Sequence, residues 1–316
     1  MAAALNRYLI KVLSSVLLLS LFSLSTLVPF VPDRALADTR TLGWRIVNTP
    51  STGPANVIVS PCEINAMAVG YDDRTFYCVD TSDNRTYKSI DGGYTWLNIS
   101  DRLMRAGASQ RTWDIVIAPD DVNFIMAVTD SRGGPGQIFY STDGGATWRS
   151  AGFPELVDEY ISCIDISSNY AGSGTVRDIA VGTRSIVSPG KIPGRVFTCQ
   201  FSTTSFVSWI DTSGESSLLK QSFSSLRFSP NYDADRTIAV ISSTENQTLL
   251  HLGRNTGTAI YWDTDYAGYP IEIKSDIIPG GWDNIIKSCL ELPSDFNGDL
   301  INQRACFASI LTGDST

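Results

Sequence analysis

Ten residues in the longer polar stretches of this chain could do chemistry together: Arg105, Arg132, Arg184, Tyr266, Tyr269, Glu272, Trp282, Asp283, Asp158 and Glu159. Arginine forks grip carboxylates, a tyrosine backed by a glutamate can attack an anomeric carbon, and two carboxylates flanking a groove suffice for inverting glycoside hydrolysis. A glycosidase would use Tyr266 and Glu272 as nucleophile pair and Asp283, Asp158 or Glu159 as acid, with Arg105, Arg132, Arg184, Tyr269 and Trp282 holding the ligand. Without catalysis the same set suits capture of an anionic or sugar ligand.

Other chemistries lack their residues. His251 is the sole histidine, which excludes histidine-rich zinc clusters, and a Ser-His-Asp triad would have to use it. Its setting, Leu249-Leu250-His251-Leu252, reads as a half-buried strand. Asp295-Phe296-Asn297-Gly298-Asp299 falls short of a calcium loop, since Leu300 stands at the required glycine and Cys306 at the bidentate acid, so it reads as a strand turn. No metal and no cofactor is implied.

What could bring the ten residues together is a repeat. Ser89-Ile90-Asp91-Gly92-Gly93-Tyr94-Thr95-Trp96 recurs as Ser141-Thr142-Asp143-Gly144-Gly145-Ala146-Thr147-Trp148, 52 residues on, the size of one four-stranded propeller blade. Asp91 and Asp143 can accept backbone N–H groups across a turn, and the paired glycines permit positive φ. Trp96 and Trp148 start the next strand, where an indole buries roughly 150–250 Å². Both segments resemble Asp-box (BNR) repeats, S-x-D-x-G-x-T-W, of sialidases, sortilin-type receptor domains, some endoglucanases and photosystem II assembly factors. The resemblance implies a scaffold role for Ser89, Asp91, Gly93, Thr95, Trp96 and for Ser141, Asp143, Gly145, Thr147, Trp148, because in the family the boxes lie away from the active site. A sialidase would also carry an Arg-Ile-Pro motif, where this chain has Lys191-Ile192-Pro193.

The expectation is an all-β fold, a β-propeller of four-stranded antiparallel blades with about five visible. Blades fall at about 62–100, 111–152, 160–214 and 222–265, with a partial unit at 285–316; Trp209 and Trp262 take the place of the earlier tryptophans. The chain stops halfway through a blade. Residues 41–48 could supply a closing strand, giving a five-bladed ring with a defective seam; truncation at the C-terminus is preferred, because propellers avoid open edges. In such blades the turns after first and third strands share one face with the acidic Asp72-Asp73 and Asp120-Asp121. The longer loops, Thr264 to Asn284 among them, share the other, and there the ten residues would meet.

Residues 1–37 read as a signal peptide: Arg7 and Lys11, an apolar run from Val12 to Val31, and Ala35-Leu36-Ala37 before Asp38. The alternative is an uncleaved membrane anchor. Cleavage removes three basic residues and one acidic, taking the net charge from −9 to −11 and disfavouring nucleic acid or anionic lipid as partner. Domain 38–316 would then be extracellular, at the cell surface or periplasmic. There the six cysteines favour disulfides, and blade register suggests Cys62–Cys78, Cys163–Cys199 and Cys289–Cys306. Asn84, Asn98 and Asn246 fit glycosylation acceptors. The preferred reading is a non-enzymatic exported propeller binding a cell-surface protein or glycan through its loop face; the alternative is a glycoside hydrolase, sialidase-like or inverting.

Overall fold

The computed structural model describes residues 63–109, 111–129, 136–172, 174–186, 193–214, 218–244, 247–274 and 285–312. The expected signal peptide, the expected closing strand at 41–48, Cys62, Arg132, Lys191, Asn246, Trp282 and Asp283 lie outside them. The described part is an all-β propeller built of antiparallel meander sheets. Blade one orders β1 (Ile64–Val69), β2 (Phe76–Asp80), β3 (Arg85–Ser89) and β4 (Leu97–Asn98); blade two orders β5 (Thr112–Ala118), β6 (Asp121–Thr129), β7 (Ile138–Ser141) and β8 (Arg149–Ser150).

Blades three and four depart from four strands by splitting the outermost one. In blade three, β9 (Glu159–Ile166), β10 (Val176–Ser185) and β11 (Val196–Ser202) are followed by β12 (Ser205–Phe206) and β13 (Ile210–Asp211), both paired to β11. In blade four, β14 (Ser222–Phe228), β15 (Thr237–Ser243) and β16 (Thr248–Asn255) are followed by β17 (Ile260–Trp262) and β18 (Ile271–Lys274), both paired to β16. The stretch expected as one long loop after Thr264 is therefore interrupted by strand, because Ile271, Glu272 and Lys274 find backbone partners along β16. The fifth sheet is the hairpin of β19 (Ile285–Glu291) and β20 (Phe307–Thr312).

Strand periodicity explains the stacking. Successive side chains point to opposite faces, so Ile125 and Ala127 of β6 pack toward Tyr77 and Val79 of blade one, while Phe124, Met126 and Val128 pack toward Ile179 and Val181 of blade three. Strand β15 repeats the division: Ile238 and Val240 face blade three, and Ala239 and Ile241 face Leu290 and Phe296 of the fifth sheet. A strand buried on both faces reads as a continuous apolar run, as Phe124 to Val128 and Ile238 to Ile241 do.

A bulge recurs at one register in every sheet. Asn65, Trp113, Ser162, Ser224 and Ile286 are the extra residues where the first strand pairs with the second. Three of them stitch adjacent blades. The Asn65 amide donates to the Trp113 carbonyl at 2.7 Å, the Ser162 hydroxyl to the Phe223 carbonyl, and the Ser288 hydroxyl of β19 meets Ser224 at 2.6 Å. Bulges redirect a side chain without ending the sheet.

The expected disulfides within blades three and five are not formed. Cys163 lies opposite Gly182 and Cys199 opposite Ile179, on either side of β10. Two strand spacings, roughly 9–10 Å, exceed what a disulfide spans. Burial instead holds both as free thiols with titration pushed up to about 12. Cys289 pairs across from Ser309, three residues from Cys306, and faces solvent while Cys306 packs on the blade-four core; both thiols are free.

Candidate functional site

The two octapeptides close the same turn, bond for bond. The Asp143 carboxylate accepts the Thr147 N–H at 2.8 Å, the Thr147 hydroxyl at 2.6 Å and the Ser141 hydroxyl at 2.7 Å, and Ser141 in turn accepts the Gly145 N–H at 2.9 Å. Asp91 makes the matching set with Thr95 and Ser89, and those bonds hold its titration down at about 2. Gly92, Gly93, Gly144 and Gly145 all have positive φ. Each turn also joins the first hairpin of its own blade, Gly92 N–H to Arg74 O at 2.9 Å and Gly144 N–H to Asn123 O at 3.0 Å. Blade one grips the second turn with cations: Lys88 donates to Gly144 O at 2.7 Å and Arg102 to Gly145 O at 3.0 Å. The Ser, Asp and Thr side chains of both segments serve the turn itself.

The described members of the loop-face set do not converge. Tyr266 is 1% exposed inside the core between blade four and the fifth sheet, its hydroxyl 2.7 Å from Thr237 and its titration pushed by burial up to about 12. Thr237 begins β15, next to the first hairpin turn of the blade, so Tyr266 sits at the turn end and away from the long loops. Tyr269 follows it, donating to the Arg304 carbonyl at 3.4 Å. Glu272 is exposed on β18, where Gln247 donates to it at 3.3 Å. Glu159 is buried at the start of β9, paired with Arg195 at 2.8 Å and accepting the Thr183 hydroxyl. Asp158, beside it, is exposed with φ 58. Arg184 is half-buried on β10, and Arg105 is exposed at the end of a short helix, Ser100–Arg105.

His251 lies in a strand, as its neighbours imply, but is wholly buried rather than half-buried. Its Nδ1 is 2.6 Å from Asp263, and its Nε2 is 3.0 Å from both Ser242 and Gln221. The spacing is that of a Ser-His-Asp relay. Ser242 is 0% exposed, however, so no substrate atom reaches its hydroxyl; the group satisfies polar atoms in the interface between blades three and four.

Charges do converge at the inner edges of the blades. Asp114 of β5, Asp165 of β9, Arg227 of β14, and Lys287 and Glu291 of β19 are electrostatically coupled. Arg227 pairs with Glu291 at 3.0 Å, and Asp165 accepts the Phe228 N–H at 2.9 Å. Burial raises Asp114 to about 6 against the pull of Arg227 and Lys287, and raises Asp165 as well. A carboxyl titrating near neutrality beside fixed cations can hold or release a proton, or accept a bond from a cationic ligand. Sequence reasoning missed this group. The signal was there, a charge flanked by apolar residues in four of the five inner strands: Trp113-Asp114-Ile115, Ile164-Asp165-Ile166, Leu226-Arg227-Phe228, Leu290-Glu291-Leu292.

No family model and no curated protein matches the chain. Among solved structures it is similar to the Niastella koreensis GH74 enzyme, at 16% identity and TM-score 0.43 over 66% of this chain and 31% of that one. It is similar to the Dos1 propeller at 17% identity and TM-score 0.42, over 63% and 46%. It is also similar to YCF48 bound to D1 peptide, at 11% identity and TM-score 0.29, over 68% and 72%. The chain thus spans about a third of the GH74 enzyme and under half of the Dos1 propeller.

Proposed function

We propose that this chain is an exported, non-enzymatic propeller that holds a protein or glycan at the cell surface through its loop face. One observation supports the choice of binding over hydrolysis: among the described residues, the tyrosine and two of the carboxylates a glycosidase would use stand in separate settings. Tyr266 is packed in a core, Glu159 is paired with Arg195, and Glu272 lies on an outer strand. Glycoside hydrolysis needs two carboxyl groups roughly 5–10 Å apart across one groove. Surface residues such as Arg105 and Asp158 remain available to a ligand, which needs complementarity rather than a reacting pair.

The purified protein is expected to turn over none of a panel of fluorogenic glycosides, sialosides included, while retaining anionic or neutral glycans on an array. Hydrolysis abolished by Glu272→Gln or Asp158→Asn would overturn the reading. For export, N-terminal sequencing of protein recovered outside the cytoplasm should begin at Asp38; retention of the whole chain in the cytosol would remove that part.

A further inference from the structure

Between blades three and four, on the side opposite the long loops, a cavity of about 120 Å³ opens beneath the break in the outer strand of blade three. Its floor is Asp178 of β10 with Cys199 and Gln200 of β11; Val207 and Ile210 stand at its rim, and the Asn255–Ile260 turn of blade four forms the facing wall. Asp178 is only 5% exposed. Its Oδ1 accepts the Tyr170 hydroxyl at 2.9 Å, and its Oδ2 accepts the Tyr232 hydroxyl at 2.7 Å and the Asn255 amide at 3.0 Å. All three donors are neutral. Among the described residues no lysine or arginine forms an ion pair with Asp178; Arg236, stacked over the Tyr170 ring at 3.7 Å, acts on the carboxyl only through space and does not outweigh its burial. A carboxylate has about four acceptor positions, so three donors leave one on Oδ1. Gln200 gives its N–H to Tyr170 at 2.8 Å, which leaves its carbonyl oxygen as a second acceptor.

An acceptor-rich floor under apolar walls selects its ligand. We propose that this cleft binds an aliphatic ammonium group, either a free small amine or the lysine side chain of a partner protein. The ammonium donates to Asp178 and Gln200, and the methylenes lie along Val207, Ile210 and Ile260. The size fits because the cleft is open to solvent: its volume of about 120 Å³ takes the ammonium head and the nearest methylenes, and the rest of the chain runs out past Val207 and Ile210. Burial raises the Asp178 carboxyl above the usual range, so an incoming cation replaces solvation that the fold has removed. The net charge of −9 also favours cationic ligands at long range.

The test is titration of the full chain with n-butylammonium, with n-butanol as the neutral isostere, followed by NMR or calorimetry. The ammonium is expected to bind at least tenfold tighter than the alcohol. Asp178→Asn should abolish that discrimination, and Val207→Trp, which plugs the mouth and leaves the Asp178 bonds in place, should abolish binding of both. Nα-acetyl-lysine N-methylamide separates the sources: tighter binding than butylammonium assigns the cleft to a partner's lysine, weaker binding to a free amine. Equal affinity for alcohol and ammonium, no binding of either, or unchanged ammonium binding in both variants with native circular dichroism would overturn the proposal.

Discussion

Asp143 shows how one residue fixes a turn. It accepts three hydrogen bonds from within six residues of chain, and Lys88 and Arg102 crowd the same turn from the neighbouring blade. Asp143→Ala should cost roughly 1–3 kcal/mol, the loss of several charge-assisted bonds at a solvated site, read as a drop in thermal midpoint. Asp114 behaves in the opposite sense. Its folded titration, about 6, lies above the ordinary 3.8, so its contribution is fully present below pH 3.8 and is lost as pH rises through 6. Asp114→Asn removes that loss. The variant should gain stability relative to wild type between pH 4 and 7, by about 3 kcal/mol at most, and differ little below pH 4. A midpoint difference that is flat across this range would contradict the assignment. Neither behaviour is visible in composition: Asp143 was legible because turn chemistry is local, whereas Asp114 acquires its environment from residues of three other blades.

Hairpins carry the next level. The turn of the fifth sheet docks on blade four through Gly298, whose N–H donates to the buried Asp235 at 2.8 Å. A Cβ at Gly298 would stand 1.9 Å from the Thr237 hydroxyl oxygen, closer than any side chain tolerates. Gly298→Ala should therefore loosen the β19–β20 hairpin while blades one to three persist, seen as faster hydrogen exchange confined to residues 285–312 and the edge of blade four. The segment Asp295 to Asp299 was legible as a turn; its docking was not, since Asp235 lies 63 residues away from Gly298. The split outer strands escaped sequence reading for a related reason. Short pairs such as Ser205–Phe206 and Ile210–Asp211 carry no periodicity of their own and are strands only because β11 offers them partners.

Across the described residues, four apolar cores join five sheets, each core shared by two neighbours. Stability in such a stack is approximately a sum of unit and nearest-neighbour terms. Sheets with a neighbour on both sides should exchange most slowly, so the amides of β6, β10 and β15 are expected to be protected longest and those of β20 least. Uniform protection would show a single cooperative unit instead. The all-β propeller architecture was readable because one octapeptide and its tryptophan recur in the two early units. The surroundings of the candidate site residues were not, because they depend on packing between units, which sends Tyr266 into a core and Glu159 to Arg195.

Trp209 and Trp262 reach backward across the seams: the first indole N–H donates to Ala151 O at the end of blade two, and the second to Thr212 O at the end of blade three. A unit cut from first strand to fourth would thus leave its own last carbonyl bare and carry an indole with nothing to hold. Among the described residues the latch belongs to these two later seams alone: the Trp96 indole donates to Gly93 O within its own turn at 2.9 Å, and the buried Trp148 indole has no hydrogen-bond partner.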